Sequence, residues 1–150
     1  MVHQLFKYYT IVEVEKDALE PVFFWLKDAK YNVALDPTED YIYKYLSGDG
    51  EKVVVKPVLS EAPLQIINDI TVPSLEKILV DIVSDKVLFD SQQGSELRNI
   101  YAEAFRKYSV ITDRLLRYAS RRSKREEIIE YMDKFQIYGN NNNLLPVYRK

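Results

Sequence analysis

Side chains able to do chemistry are few in this chain, and their spacing limits them. Glu13 and Glu15 lie two apart in a strand-forming segment, so their carboxylates share a face and could hold a divalent cation; Asp36, before Pro37, is a third acid that a metal-dependent hydrolase could recruit. A restriction-type nuclease needs an acid two positions before a lysine on a neighbouring strand. Lys56 has Val54 in that place, so the set is incomplete, and Glu13 with Glu15 reads as a solvated strand face. Tyr41, Tyr43 and Tyr45 could stack bases or pack as the wet-edged side of a sheet, and with Lys44 the single interleaved cation, packing is favoured. Arg114, Arg117 and Arg121, followed by Lys124 or Arg125, recur every three to four residues. That spacing lines one helical face with cations, as phosphate tracking requires, and Arg122 adds to the same basic stretch.

Composition removes many other chemistries. With zero cysteines there is no disulfide, cysteine nucleophile or thiolate metal site, and His3 is the single histidine, so zinc sites and histidine-based triads fall away. Glycine occurs only at 48, 50, 94 and 139, which excludes a P-loop and a GxGxxG cradle. The Gly-Ser turn with paired aspartates of a nucleotidyltransferase is absent too. No cofactor, metal or catalytic residue is expected. No apolar run approaches the roughly 18 residues of a membrane span, and the first twenty residues lack a signal-peptide layout, so a cytoplasmic protein is expected.

The net charge of −2 conceals a division. Residues 1–72 carry 7 Lys and Arg against 12 Asp and Glu, whereas residues 73–150 carry 14 against 11. Nine cations and two acids fall between 98 and 125, a field whose natural partner is an anion. Two readings stay open for it: a nucleic-acid surface, or a solvated face whose arginines pair with Asp113, Glu126, Glu127 and the acidic half.

The elements that must position these residues centre on 71–85. Pro73 biases Val72 toward extended backbone and Ser74 can cap a following turn, so a strand ends and a helix starts there. Leu75, Ile78, Leu79, Ile82 and Val83 repeat as one buried helical face, with Glu76, Lys77, Asp81 and Asp85 expected off it. Before this helix, residues 7–15, 32–35, 41–46, 52–56 and 66–72 read as strands, with Thr38 offering 41–46 a helical alternative. Asp17 and Glu20 have capping-box spacing for a helix whose Phe24 and Trp25 require cover by the sheet or a partner. After it, helices are expected behind Ser95 (with Leu97, Ile100, Tyr101, Ala104, Phe105 and Tyr108 buried) and behind Thr112. Ser123 with Glu126 marks a break or a further helix, extended by Ile128, Ile129, Met132 and Phe135.

Three segments, Val72 to Asp81, Gln93-Gly94-Ser95-Glu96-Leu97 and Tyr118-Ala119-Ser120-Arg121-Arg122, resemble the effector half of AbiEi-type abortive-infection antitoxins, across roughly residues 5–135. The most specific part is the proline-x-leucine-glutamate-lysine helix start with its aspartate. The resemblance implies a non-enzymatic transcriptional-regulator fragment whose partner is a cognate nucleotidyltransferase-like toxin. The winged helix that begins such proteins has no counterpart here, so promoter binding is not implied, and the abrupt first strand suggests the remainder of something longer. Glu76, Lys77 and Asp81 match the motif and are read as an ion-paired helix surface, Lys77 and Asp81 being four apart.

These readings combine into an α+β fold with one domain over 1–138. Residues 1–72 would form a small mixed or antiparallel sheet with one helix, packed against three to four helices from 73–138, and 139–150 an Asn-rich linker and tail. The expected function is docking by protein contact, with nucleic-acid binding through Arg114, Arg117, Arg121, Arg122 and Arg125 as the alternative and a metal-dependent hydrolase using Glu13, Glu15 or Asp36 as the third. Oligomeric state is left open.

Overall fold

A computed structural model describes residues 8–46 and 50–134. The expected strand start at Lys7, residues 47–49, Phe135 and the expected 139–150 tail lie outside the described residues, as does His3. The fold is α+β, and the chain divides into two compact units, Met1–Ser60 and Glu61–Lys150.

In the first unit β1 (Tyr8–Val14), β2 (Val33–Leu35) and β3 (Glu51–Pro57) form a sheet in the order β1-β3-β2, with both pairings parallel. The expectation of a mixed or antiparallel sheet is corrected here for these strands. Strands that run the same way need crossover connections, and helices supply them: α1 (Leu19–Asp28) carries the chain from β1 to β2 across the sheet, and α2 (Glu39–Tyr45) joins β2 to its neighbour β3. The strand expected at 41–46 is therefore a second helix. Thr38 decides it, its hydroxyl accepting the Tyr41 N–H at 3.2 Å as an N-cap. Val53, Val54 and Val55 are all buried, as befits a central strand covered on both faces. At the start of α1 the Asp17 to Glu20 capping box does not form; a 3-10 turn over Lys16–Ala18 leads in and Ala18 is the N-cap.

The second unit opens with an antiparallel ribbon, β4 (Leu64–Ile67) and β5 (Ile70–Pro73), so the single strand expected over 66–72 is a hairpin that starts at Leu64. Asn68 and Asp69 close it, both with positive φ (51° and 66°), the pattern of a primed hairpin turn. The Ser74 hydroxyl donates to Pro63 C=O at 2.7 Å and accepts the Lys77 N–H, starting α3 (Leu75–Ser84) as the sequence predicts. Three helices follow: α4 (Ser95–Lys107), α5 (Thr112–Arg121) and α6 (Arg125–Lys134). The core joins Leu79, Val80, Ile82 and Val83 of α3 to Leu97, Tyr101 and Phe105, to Leu115, Leu116, Tyr118 and Ala119, and to Ile128 and Met132. The buried Tyr101 hydroxyl donates to Leu79 C=O at 2.7 Å.

Several local expectations shift. Ser95 and Thr112 are the first helical residues rather than caps; Gly94 (φ 66°) and Ile111 hold those positions. Ser123, φ 58°, marks the break between α5 and α6. Tyr108 is exposed, because α4 ends at Lys107 and the chain there is extended.

Candidate functional site

Around α3 the sequence placed four charges on the wet side, and for three of them that is corrected, Asp85 being half-buried. Glu76, Lys77 and Asp81 are buried, Lys77 to 1% exposure, while Ile78, assigned to the core face, is 38% exposed. Val80 is fully buried in its place. A helix apolar around most of its circumference is enclosed on most sides, and any charge it carries inward must find a partner.

Those partners come from α5 and its flanks. Asp81 takes three donors: the Lys77 ammonium one turn back, the Tyr118 hydroxyl at 2.6 Å and the Arg122 guanidinium at 2.9 Å. The other arm of Arg122 reaches Asp85 at 2.9 Å, and Lys77 Nζ lies 5.7 Å from the Tyr118 ring centroid. Two cations thus face two carboxylates, so the cluster is balanced. Glu76 serves a second junction, accepting the Ile111 N–H at 2.9 Å with Arg114 at 4.0 Å. Burial, then the Asp81 hydrogen bond, push the Tyr118 phenol up to about 12. Burial opposes the Arg122 charge, but Asp85 and Asp81 outweigh it and its pKa rises. Among the described residues no buried side-chain nitrogen or oxygen lacks a hydrogen-bond partner. Chemically the arrangement can fix α3 against α5; its carboxylates are already engaged by donors from the same unit.

The structure separates the five arginines. Arg114, Arg117 and Arg121 are exposed along one side of α5 and Arg125 is half-buried at the start of α6, whereas Arg122 turns into the carboxylate cluster and leaves the basic face. At least five of the nine cations between 98 and 125 have carboxylate partners: Arg106 and Lys107 on Glu103, Arg114 near Glu76, Arg122 on Asp81 and Asp85, and Lys124 on Glu127. Arg106 holds the Glu103 carboxyl below its usual range, with Lys107 contributing.

In the first unit most of the described aromatics face solvent. Trp25 is 70% exposed, and Phe24, Tyr31, Tyr41, Tyr43 and Tyr45 are exposed with it, so the first unit leaves Phe24 and Trp25 of α1 uncovered while Phe23 is half-buried. Tyr41 and Tyr45 sit one turn apart on α2, ring centroids 4.7 Å apart, so the alternating stacking platform becomes a helical pair. A cavity of about 300 Å³ at the carboxyl end of β2 is bordered by Phe23, Asp36, Thr38 and Tyr41. Asp36, φ 40°, turns the chain there. Glu13 and Glu15 stay on β1 and its exit, and no group of three or more His, Asp or Glu side chains is placed to hold a metal among the described residues.

The family described as a family of unknown function, DUF6577, matches residues 1–138. The chain belongs to the DUF6577 family. No curated protein and no solved structure matches it. In this DUF6577 chain no helix among the described residues is long and apolar enough to cross a membrane. What sequence reasoning missed is the pairing of Tyr118 and Arg122 with Asp81 and Asp85. The signal was a pair of matching stripes: Lys77, Asp81 and Asp85 recur every four residues along α3 and its C-terminal end, and Tyr118 and Arg122 are four apart at the end of α5.

Proposed function

We propose that the DUF6577 chain is a non-catalytic docking module of the kind found in the effector half of AbiEi antitoxins, acting by contact with a nucleotidyltransferase-like toxin. The observation that carries this reading is the exposed aromatic set of the first unit, Phe24, Trp25 and Tyr31 with Tyr41, Tyr43 and Tyr45. Aromatic side chains dominate the energetics of protein interfaces because they desolvate a large rigid surface at little entropic cost. The engagement of Lys77, Asp81, Asp85, Tyr118 and Arg122 with one another supports it further, since these side chains serve the fold of the second unit.

Co-expression with the nucleotidyltransferase-like product of a neighbouring gene tests it. A complex that survives purification and is lost in Trp25→Ala supports the reading, and failure of the wild-type chain to bind such a product contradicts it. A second reading, nucleic-acid binding, draws on the exposed row of Arg114, Arg117 and Arg121. It requires binding that weakens steeply with salt.

A further inference from the structure

The β4–β5 ribbon is the most apolar exposed feature of the second unit. Ile66 is 73% and Ile70 63% exposed, with Leu64 and Ile67 exposed beside them, and no third strand pairs with the ribbon among the described residues. Its register determines which edge is open. Ile67 faces Ile70 across the two-residue turn and exchanges hydrogen bonds with it, so pairs alternate from there and the backbone groups of Leu64 and Ile66 point away from β5. On β5 the corresponding outward positions are Thr71 and Pro73, and Pro73 has no N–H to offer. One edge is therefore blunted, while the β4 edge carries no proline, charge or bulge of the kind that guards exposed strands.

We propose that β4 pairs antiparallel with β4 of a second copy of this chain, about a two-fold axis at Gln65. The β4 sequence, Leu-Gln-Ile-Ile, is uncharged, so a copy meets no repulsion along the strand. Setting Gln65 opposite Gln65 places Leu64 opposite Ile66 twice. Those are the residues whose N–H and C=O groups point outward, so each pair can exchange two hydrogen bonds. Leu64 and Ile66 lie on one face of the ribbon and gather into a continuous apolar patch across the axis, making the contact self-complementary. The result is a four-stranded sheet built from two ribbons. This association is independent of toxin docking, which is assigned to the other unit.

Sedimentation velocity on the full chain alone, across a concentration series, tests it. The wild-type chain dimerises reversibly. Ile66→Lys, which charges the pairing edge, weakens the dimer roughly tenfold or more, and Ile66→Pro, which removes the outward N–H, does the same without adding charge. Ile70→Lys, on the other strand and the other face, leaves the dimer within about threefold of wild type. A wild-type chain that stays monomeric throughout overturns the proposal. So does a dimer indifferent to both Ile66 variants, or one that Ile70→Lys weakens equally.

Discussion

The carboxylate of Glu76, in the first turn of α3, accepts the backbone N–H of Ile111 at 2.9 Å and so ties α3 to the residue that precedes α5. Glu76→Ala is expected to lower stability by about 1–3 kcal/mol, and Glu76→Gln, which keeps an acceptor, by less. Urea denaturation of both variants checks the order.

Asp81 is the hub of the buried charges, and its removal takes a carboxylate away from both Lys77 and Arg122, leaving Arg122 with Asp85. Asp81→Ala is expected to cost about 3–5 kcal/mol, whereas Lys77→Met combined with Asp81→Leu costs less than the sum of the two single changes. A double-mutant cycle by urea denaturation measures that coupling, and strict additivity would contradict the network.

Raising the Tyr118 pKa from the ordinary 10 to about 12 makes stability depend on pH in a defined direction. The folded state holds the phenolic proton more tightly than the unfolded state, so the contribution is complete below pH 10 and is lost as pH rises toward 12. That loss is roughly 1–3 kcal/mol. Burial raises the Tyr101 pKa as well, so it adds a loss of the same sign, and Tyr118→Phe removes part of the slope. Denaturation midpoints between pH 9 and 11.5 in wild type and Tyr118→Phe provide the comparison.

Two neighbours on α3 separate the observed burial from the sequence periodicity. Leu79 is fully buried and Ile78 is not, so Leu79→Ala is expected to cost about 2–5 kcal/mol and Ile78→Ala less than about 1 kcal/mol. Equal losses would return Ile78 to the core face.

On α5 and just beyond it, charge reversal distinguishes surface from core. Arg117→Glu leaves stability nearly unchanged and reduces any binding to nucleic acid on every sequence alike. Arg122→Glu instead destabilises the chain by about 3 kcal/mol or more, because it sets a third carboxylate against Asp81 and Asp85. Thermal denaturation read alongside filter binding resolves the two.

The α+β class and α3 itself were legible in the sequence because Pro73, Ser74 and the apolar repeat act locally. The parallel direction of the first sheet was obscured by Tyr41 to Tyr45, whose alternating tyrosines imitate a strand while Thr38 caps a helix. The unbroken Val53-Val54-Val55 run was the available counter-signal, since a strand buried on both faces need not alternate. The charges of α3 were misplaced for a different reason. Periodicity ranks Lys77 and Asp81 as polar and therefore wet, but their mutual pairing and the arrival of Tyr118 and Arg122 from the fifth helix and its end make burial tolerable. A contact between residues some forty positions apart leaves only its two four-residue stripes in the sequence. Exposure of Phe24 and Trp25 was half legible: the sequence asked for a covering surface, and the first unit's own sheet supplies none.

Trp25 is the single tryptophan of the chain and stands 70% exposed, so its fluorescence reports directly on the surface assigned to docking. Titrating the neighbouring nucleotidyltransferase-like protein, with its own tryptophans replaced, into the purified chain is expected to shift Trp25 emission to the blue and shield it from acrylamide in step with complex formation. A complex that forms while Trp25 stays as red and as quenchable as in the free chain would contradict the account.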